Sequence, residues 1–219
     1  MSTTAKQMYP LLATHVEAKF KEEGSGHDWW HILRVINMAR RLAREEEADE
    51  DITALAALLH DIADHKFHGG DLEVGPQTAA ALLRQHGADE SVVQHVVQII
   101  REVSFKGAGV ATPASSVEAA CVQDADRLDA IGAIGVARAF AYGGSRNRLL
   151  YDPNDPPVLH DNFTAYAGSS GATINHFHEK LLLLRDRMHT EAARRIANER
   201  HRFMEAFLTQ FHHEWEGSR

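Results

Sequence analysis

A single cysteine, six prolines and no excess of positive charge set the first limits on this 219-residue chain. One thiol cannot close an internal disulfide, so no disulfide framework substitutes for a core. Cys121 lies in an apolar run, which suits a buried small side chain better than a nucleophile. The formal charge of −8 at pH 7 opposes general attraction to a nucleic-acid backbone, while a local basic pocket for one small phosphorylated ligand is still compatible with it. Long hydrophobic runs are also missing. The most apolar stretches, Ile52 to Leu59 and Leu181 to Leu184, fall far short of the ~20 residues that span a bilayer. The opening Met1-Ser2-Thr3-Thr4-Ala5-Lys6-Gln7 leads into a charged amphipathic segment and lacks the apolar core of a signal peptide. A cytoplasmic protein with no membrane partner is therefore expected.

What is present is an ordinary globular balance, 44% hydrophobic and 25% charged, at a length that buries a large core without staples. One domain is expected. Apolar residues recur at helical spacing in nearly every long segment, with no series of alternating strands and hairpin turns, so the fold should be all-α. An opening helix is expected over residues 4 to 22. Ser25 can cap a second helix through Trp29, Ile32, Leu33, Ile36 and Ala39, with His31 near its start. Asp49 can cap a third, whose Ile52, Leu55, Ala56, Leu58 and Leu59 lead directly to His60-Asp61. Gly75-Pro76 and Asp89 open two further helices. Ser115 and Glu118 have the spacing of a capping box before the helix bearing Asp124, Asp126 and Asp129. From about Tyr142 to Ser170, Gly, Asn, Asp and Pro predict a long irregular loop, of a length that suggests a lid or flap. Helical periodicity returns over about residues 172 to 216. Trp29 and Trp30, beside a helical core, read first as packing residues and second as a stacking surface for a base.

The chemistry concentrates at His60-Asp61. A carboxylate at the end of a strongly apolar helix needs compensation, and a divalent cation supplies it, because imidazole and carboxylate together suit manganese, iron, zinc and related metals. A hydrogen-bonded structural pair is the other reading of two such residues. The wider pattern consists of His27-Asp28-Trp29-Trp30-His31-Ile32-Leu33-Arg34-Val35, then His60-Asp61-Ile62-Ala63-Asp64-His65-Lys66, then Asp124-Ala125-Asp126-Arg127-Leu128-Asp129-Ala130. In order and spacing it resembles the HD superfamily over roughly residues 25 to 140. Asn175-His176-Phe177-His178-Glu179-Lys180-Leu181 is similar to a segment of a small bacterial subgroup of HD hydrolases.

The resemblance implies an HD-type helical bundle with a C-terminal helical extension. It also implies one divalent metal held by His31, His60, Asp61 and Asp126. Manganese is favoured, with magnesium, cobalt, nickel, iron or zinc as alternatives. His27 is the competing upstream histidine and is assigned to the substrate side. The late aspartate is open on periodicity alone. Successive helical residues turn by about 100°, and Asp124 points closest to the stripe of Val117, Cys121 and Leu128, whereas the resemblance selects Asp126. Asp64, three residues beyond Asp61, is the candidate to orient a metal-activated water or carry its proton, at a position where the family often has Glu. Lys66, Arg127, Arg138 and Lys180 are candidate phosphate contacts, and His176, four residues before Lys180, should project with it from one helix. The function implied is a metal-dependent phosphohydrolase that releases pyrophosphate from nucleoside triphosphates. A phosphomonoesterase or phosphodiesterase would use the same centre, and a non-catalytic regulatory domain that binds nucleotide or metal is the reading from another class.

Overall fold

The computed structural model describes residues 4–21, 28–63, 71–103, 110–159 and 171–218, and among these every regular element is helical. Two compact units are distinguished, one built from residues 1–105 and 112–126, the other from 106–111 and 127–219.

The first unit is organised around a helix that buries all of its middle. Helix α3 (Glu50–Leu59) carries eight consecutive buried residues, Ile52 to Leu59, and packs against α1 (Ala5–Phe20), α2 (Trp29–Glu45) and α5 (Glu90–Val103). A helix apolar all round is a core helix, and each fully buried Leu contributes about 1.5–3 kcal/mol. Asp49 starts it, as expected, by accepting from Asp51 N–H and Ile52 N–H at 2.9 and 3.0 Å. Helix α1 presents Met8, Leu12 and Val16, and α2 presents Ile32, Val35, Ile36, Ala39 and Leu42. Helix α4 (Val74–Gln85) pairs with α5, and a Cβ on Gly75 would lie 3.1 Å from the Ala63 carbonyl. The absence of a side chain there lets α4 approach the turn that follows His60-Asp61.

Two expected helix starts differ. Helix α2 is capped by Asp28, whose Oδ1 accepts His31 N–H at 2.8 Å, and Ser25 lies outside the described residues. At α6 (Val117–Asp129) the cap is Ser116, which accepts Ala119 N–H at 3.1 Å; Ser115 instead donates its backbone N–H to Glu102. Glu118 does not close a capping box but reaches Asp49 N–H at 3.1 Å, tying the first turn of α6 to the first turn of α3. Trp30 is 62% exposed and is no packing residue, whereas Trp29 is half-buried.

In the second unit α7 (Gly132–Ser145) packs on α8 (Thr173–Glu179) and on α9 (Glu191–Trp215), with a 3-10 turn (Leu181–Arg187) between the last two. Its core includes Phe177, Leu181, Leu184, Ala193, Ala197 and Met204, with the Phe177 and Phe207 rings stacked at 5.7 Å. Helix α7 runs past Tyr142 to Ser145, so the irregular stretch begins later than composition indicates. A Cβ on Gly143 would sit 2.2 Å from Thr173 Oγ1, so this glycine serves helix packing and not a turn. Residues 146–159 are irregular and are pinned to α8, where Asn175 Nδ2 donates to the Asp155 carbonyl at 2.7 Å and Glu179 accepts Val158 N–H at 3.0 Å. No helix among the described residues is long and apolar enough to cross a membrane.

The Glu118 tie carries a pH signature. Burial alone would raise its carboxyl, but the backbone N–H groups of Asp49 and of Glu118 itself, the Ser116 hydroxyl and His95 outweigh burial and hold it below the usual range. A depressed carboxylate contributes stability that is present above the unfolded value of about 4.3 and is lost as pH falls through the folded one. Glu118→Gln should therefore lower the urea midpoint at pH 7, and its gap to the wild type should narrow in melts below about pH 4. A gap that stays constant with pH would remove the charge from this tie.

Candidate metal centre

Three helix ends of the first unit converge on one point. His31 is the third residue of α2, placed there by the Asp28 cap, and is fully buried. His60 follows the last residue of α3 and keeps helical dihedrals, φ −60° and ψ −35°, so its ring folds back along the helix. Its Nδ1 lies 2.7 Å from the Ala57 carbonyl. A carbonyl only accepts, so Nδ1 carries the proton in the neutral ring and Nε2 presents its lone pair. That Nε2 is buried and has no hydrogen-bond partner among the described residues. A buried polar atom of this kind is costly unless it serves as a ligand.

The carboxylates of Asp61 and Asp126 stand opposite. Asp61 Oδ2 is 3.4 Å from His31 Nε2 and 3.5 Å from His60 Nε2, and Asp126 Oδ1 is 3.6 and 3.8 Å from the same two atoms. These spacings exceed an N–H···O hydrogen bond, which peaks near 2.9–3.0 Å. They suit donors ranged around a shared centre, since ligands at about 2.1 Å from a tetrahedral ion lie roughly 3.4 Å apart. One donor atom each from His31, His60 and Asp126 falls within a mutual 4.8 Å. The two rings meet edge to face, with centroids 5.4 Å apart. Both imidazole side chains are essentially inaccessible, whereas Asp61 and Asp126 retain 19% and 31% of their side-chain exposure. The centre therefore has a nitrogen floor and an open oxygen side, and two neutral nitrogens with two anionic oxygens fit a divalent cation.

Asp126 is grouped with the imidazoles, and Asp124, the residue periodicity favours, is fully buried and is not a member of that group. Asp124 instead contributes, with Glu46 and Glu118, to a Cys121 thiol that burial first of all pushes up to about 12. Cys121 is buried, and no thiolate nucleophile is on offer there. His27, Asp64 and Lys66 lie outside the described residues. Arg127, Arg138, His176 and Lys180 belong to the second unit. There Arg127 Nη1 donates to the Arg187 carbonyl at 2.5 Å and lies 3.0 Å from His189 Nε2, and Arg138 bonds Asp129 at 2.9 Å. Lys180 does not extend the helix of His176: its φ of −142° and ψ of −59° end α8, so the two do not project from one helix. Sequence reasoning also missed Asp28, although a carboxylate three residues before a helical histidine is a readable cap.

Comparison with known proteins gives a consistent result. A family model described as "HD domain" matches residues 29–131. A solved structure from Lactobacillus plantarum is 35% identical, covering 99% of this chain and all of that one, with a TM-score of 0.87. An HD-superfamily hydrolase from Bacillus thuringiensis is 40% identical over 97% of this chain and 98% of its own, with a TM-score of 0.73. The Bacillus subtilis protein YpgQ is 38% identical over 200 residues, 91% of this chain and 89% of that protein. Its crystal structure in complex with ADP covers 94% of this chain and 97% of its own at a TM-score of 0.71.

Asp126→Ala should weaken manganese binding by more than the ~10–100-fold that losing an outer hydrogen-bond partner costs, while Asp124→Asn keeps it. Calorimetric titration of the chelator-stripped proteins checks this. The opposite ranking would return the late ligand to Asp124.

Proposed function

Since the chain belongs to the HD superfamily, and is accordingly a metal-dependent phosphohydrolase, we propose that it hydrolyses nucleoside triphosphates to monophosphate and pyrophosphate. The observation that carries the hydrolytic reading is the convergence of two inward-facing imidazole nitrogens and two carboxylates with an open oxygen side. The nucleotide substrate is supported by the ADP complex of YpgQ, a relative across most of this chain.

In this reading His31, His60, Asp61 and Asp126 hold one divalent cation, and manganese suits a mixed nitrogen and oxygen set. Such an ion, when bound, lowers the pKa of water and draws charge from a phosphoryl oxygen. Asp61 and Asp126 offset the ion's charge and, standing on the exposed side, leave room for substrate beside them. The Ala57 carbonyl favours the His60 tautomer that turns the Nε2 lone pair toward the cation. Asp64 is assigned the water-side carboxylate, orienting the nucleophile or taking its proton, directly or through one further water. Water adds to the α-phosphorus, the bond from that phosphorus to the bridging oxygen breaks, and pyrophosphate leaves. The buried thiol of Cys121 has no part, which agrees with water and not a side chain as nucleophile. Lys66 and His27 are assigned to the substrate side, where a cation offsets phosphate charge.

The test is turnover of a nucleotide panel by chelated protein resupplied with manganese, with phosphate and pyrophosphate resolved together. Manganese-dependent pyrophosphate release is expected. Release of phosphate would make the enzyme a monoesterase, and no turnover with any metal would favour a regulatory binding domain. Asp64→Asn should keep metal affinity and lower kcat by about 10²–10⁴-fold. Loss of metal in that variant would make Asp64 a ligand.

A further inference from the structure

Helix α1 lies wholly outside the matched residues 29–131, yet it reaches the centre's supporting turn. Its docked face runs Met8, Leu12, Val16, all fully buried, and Lys19 continues that stripe one turn further at the end of the helix. The Lys19 side chain runs onward from this face, and its Nζ donates to the Ile62 carbonyl at 2.5 Å. Ile62 is the residue after His60-Asp61. It stands in the turn that ends α3, where its own N–H bonds the Leu59 carbonyl at 3.1 Å.

The Ile62 carbonyl lies in the turn just past the C-terminus of α3, where the negative end of the helix favours a nearby ammonium. The 60–63 turn is then fixed from separate directions. His60 Nδ1 ties it to the Ala57 carbonyl, the Ile62 N–H closes it on Leu59, and Lys19 anchors it from another helix. Of these three hydrogen bonds the last alone is not local to α3, and it ties the turn to another helix of the unit.

We propose that Lys19 is a positioning residue for the metal centre: by holding the Ile62 carbonyl it aims His60 and Asp61 before a cation arrives. The inference rests on the reading of those residues as metal ligands. Lys19 is exposed, so its contact adds little to global stability, and its effect falls on the alignment of two donors.

The experiment is calorimetric titration of manganese into chelator-stripped wild type, Lys19→Met, Lys19→Arg and His60→Ala, with thermal melts of the same metal-free proteins. Methionine keeps the length of the stem and removes the ammonium. Lys19→Met should bind manganese about 10–100-fold more weakly, Lys19→Arg should recover most of that loss, and the metal-free melting temperature should move by only ~2–4 °C. Wild-type affinity in Lys19→Met overturns the proposal, as does a loss that Lys19→Arg fails to repair. Equal binding by wild type and His60→Ala would defeat the ligand assignment itself, a separate result.

Discussion

Two imidazoles with almost no accessible surface meet two carboxylates at 3.4 to 3.8 Å, and the first unit is arranged so that they have no other choice. His60 spends one nitrogen on the Ala57 carbonyl and is left with a second that is buried and, among the described residues, without a hydrogen-bond partner. Leaving such an atom unpaired costs on the order of 1–3 kcal/mol, which a ligand on Nε2 would offset. The burial of α3 on all sides, the Asp28 cap under His31 and the arrival of α6 at Asp126 all serve that convergence.

The same helix is held at both ends by charges of the sign its dipole favours. Glu118 accepts the Asp49 N–H at the positive end, and Lys19 donates to the Ile62 carbonyl at the negative end. These two ties come from α6, inside the family-matched region, and from α1, which precedes it in sequence, and they hold α3 at both ends. A slide would cost more than packing, because α3 delivers two of the four donors and α6 a third.

Much of this was readable in the sequence. The unbroken apolar run before His60-Asp61 identified a core helix ending in a histidine and a carboxylate, and Asp49 was its visible cap. The late aspartate was not readable from periodicity, because the face of α6 that points into the apolar core carries Asp124, whereas the end of the helix that meets the imidazoles carries Asp126. The resemblance selects Asp126, which the geometry groups with the two imidazoles, whereas the helical wheel points to Asp124. Caps one or three residues out of place, Ser116 for Ser115 and Asp28 for Ser25, reflect how many Ser and Asp side chains near a helix start have the right chemistry. Only tertiary contact decides among them. The end of α7 falls in the stretch that Gly, Asn, Asp and Pro content assigns to a loop, yet Gly143 there lets Thr173 approach. The Lys19 contact spans 43 residues and has no local signature at all.

The central claim, that these four side chains form one cation site, is tested most directly by crystals grown with manganese and measured for anomalous scattering. A single peak at bonding distance from His31 Nε2, His60 Nε2 and both carboxylates is the predicted result. A map with no peak among them, or one whose peak lies elsewhere in the chain, would contradict the account.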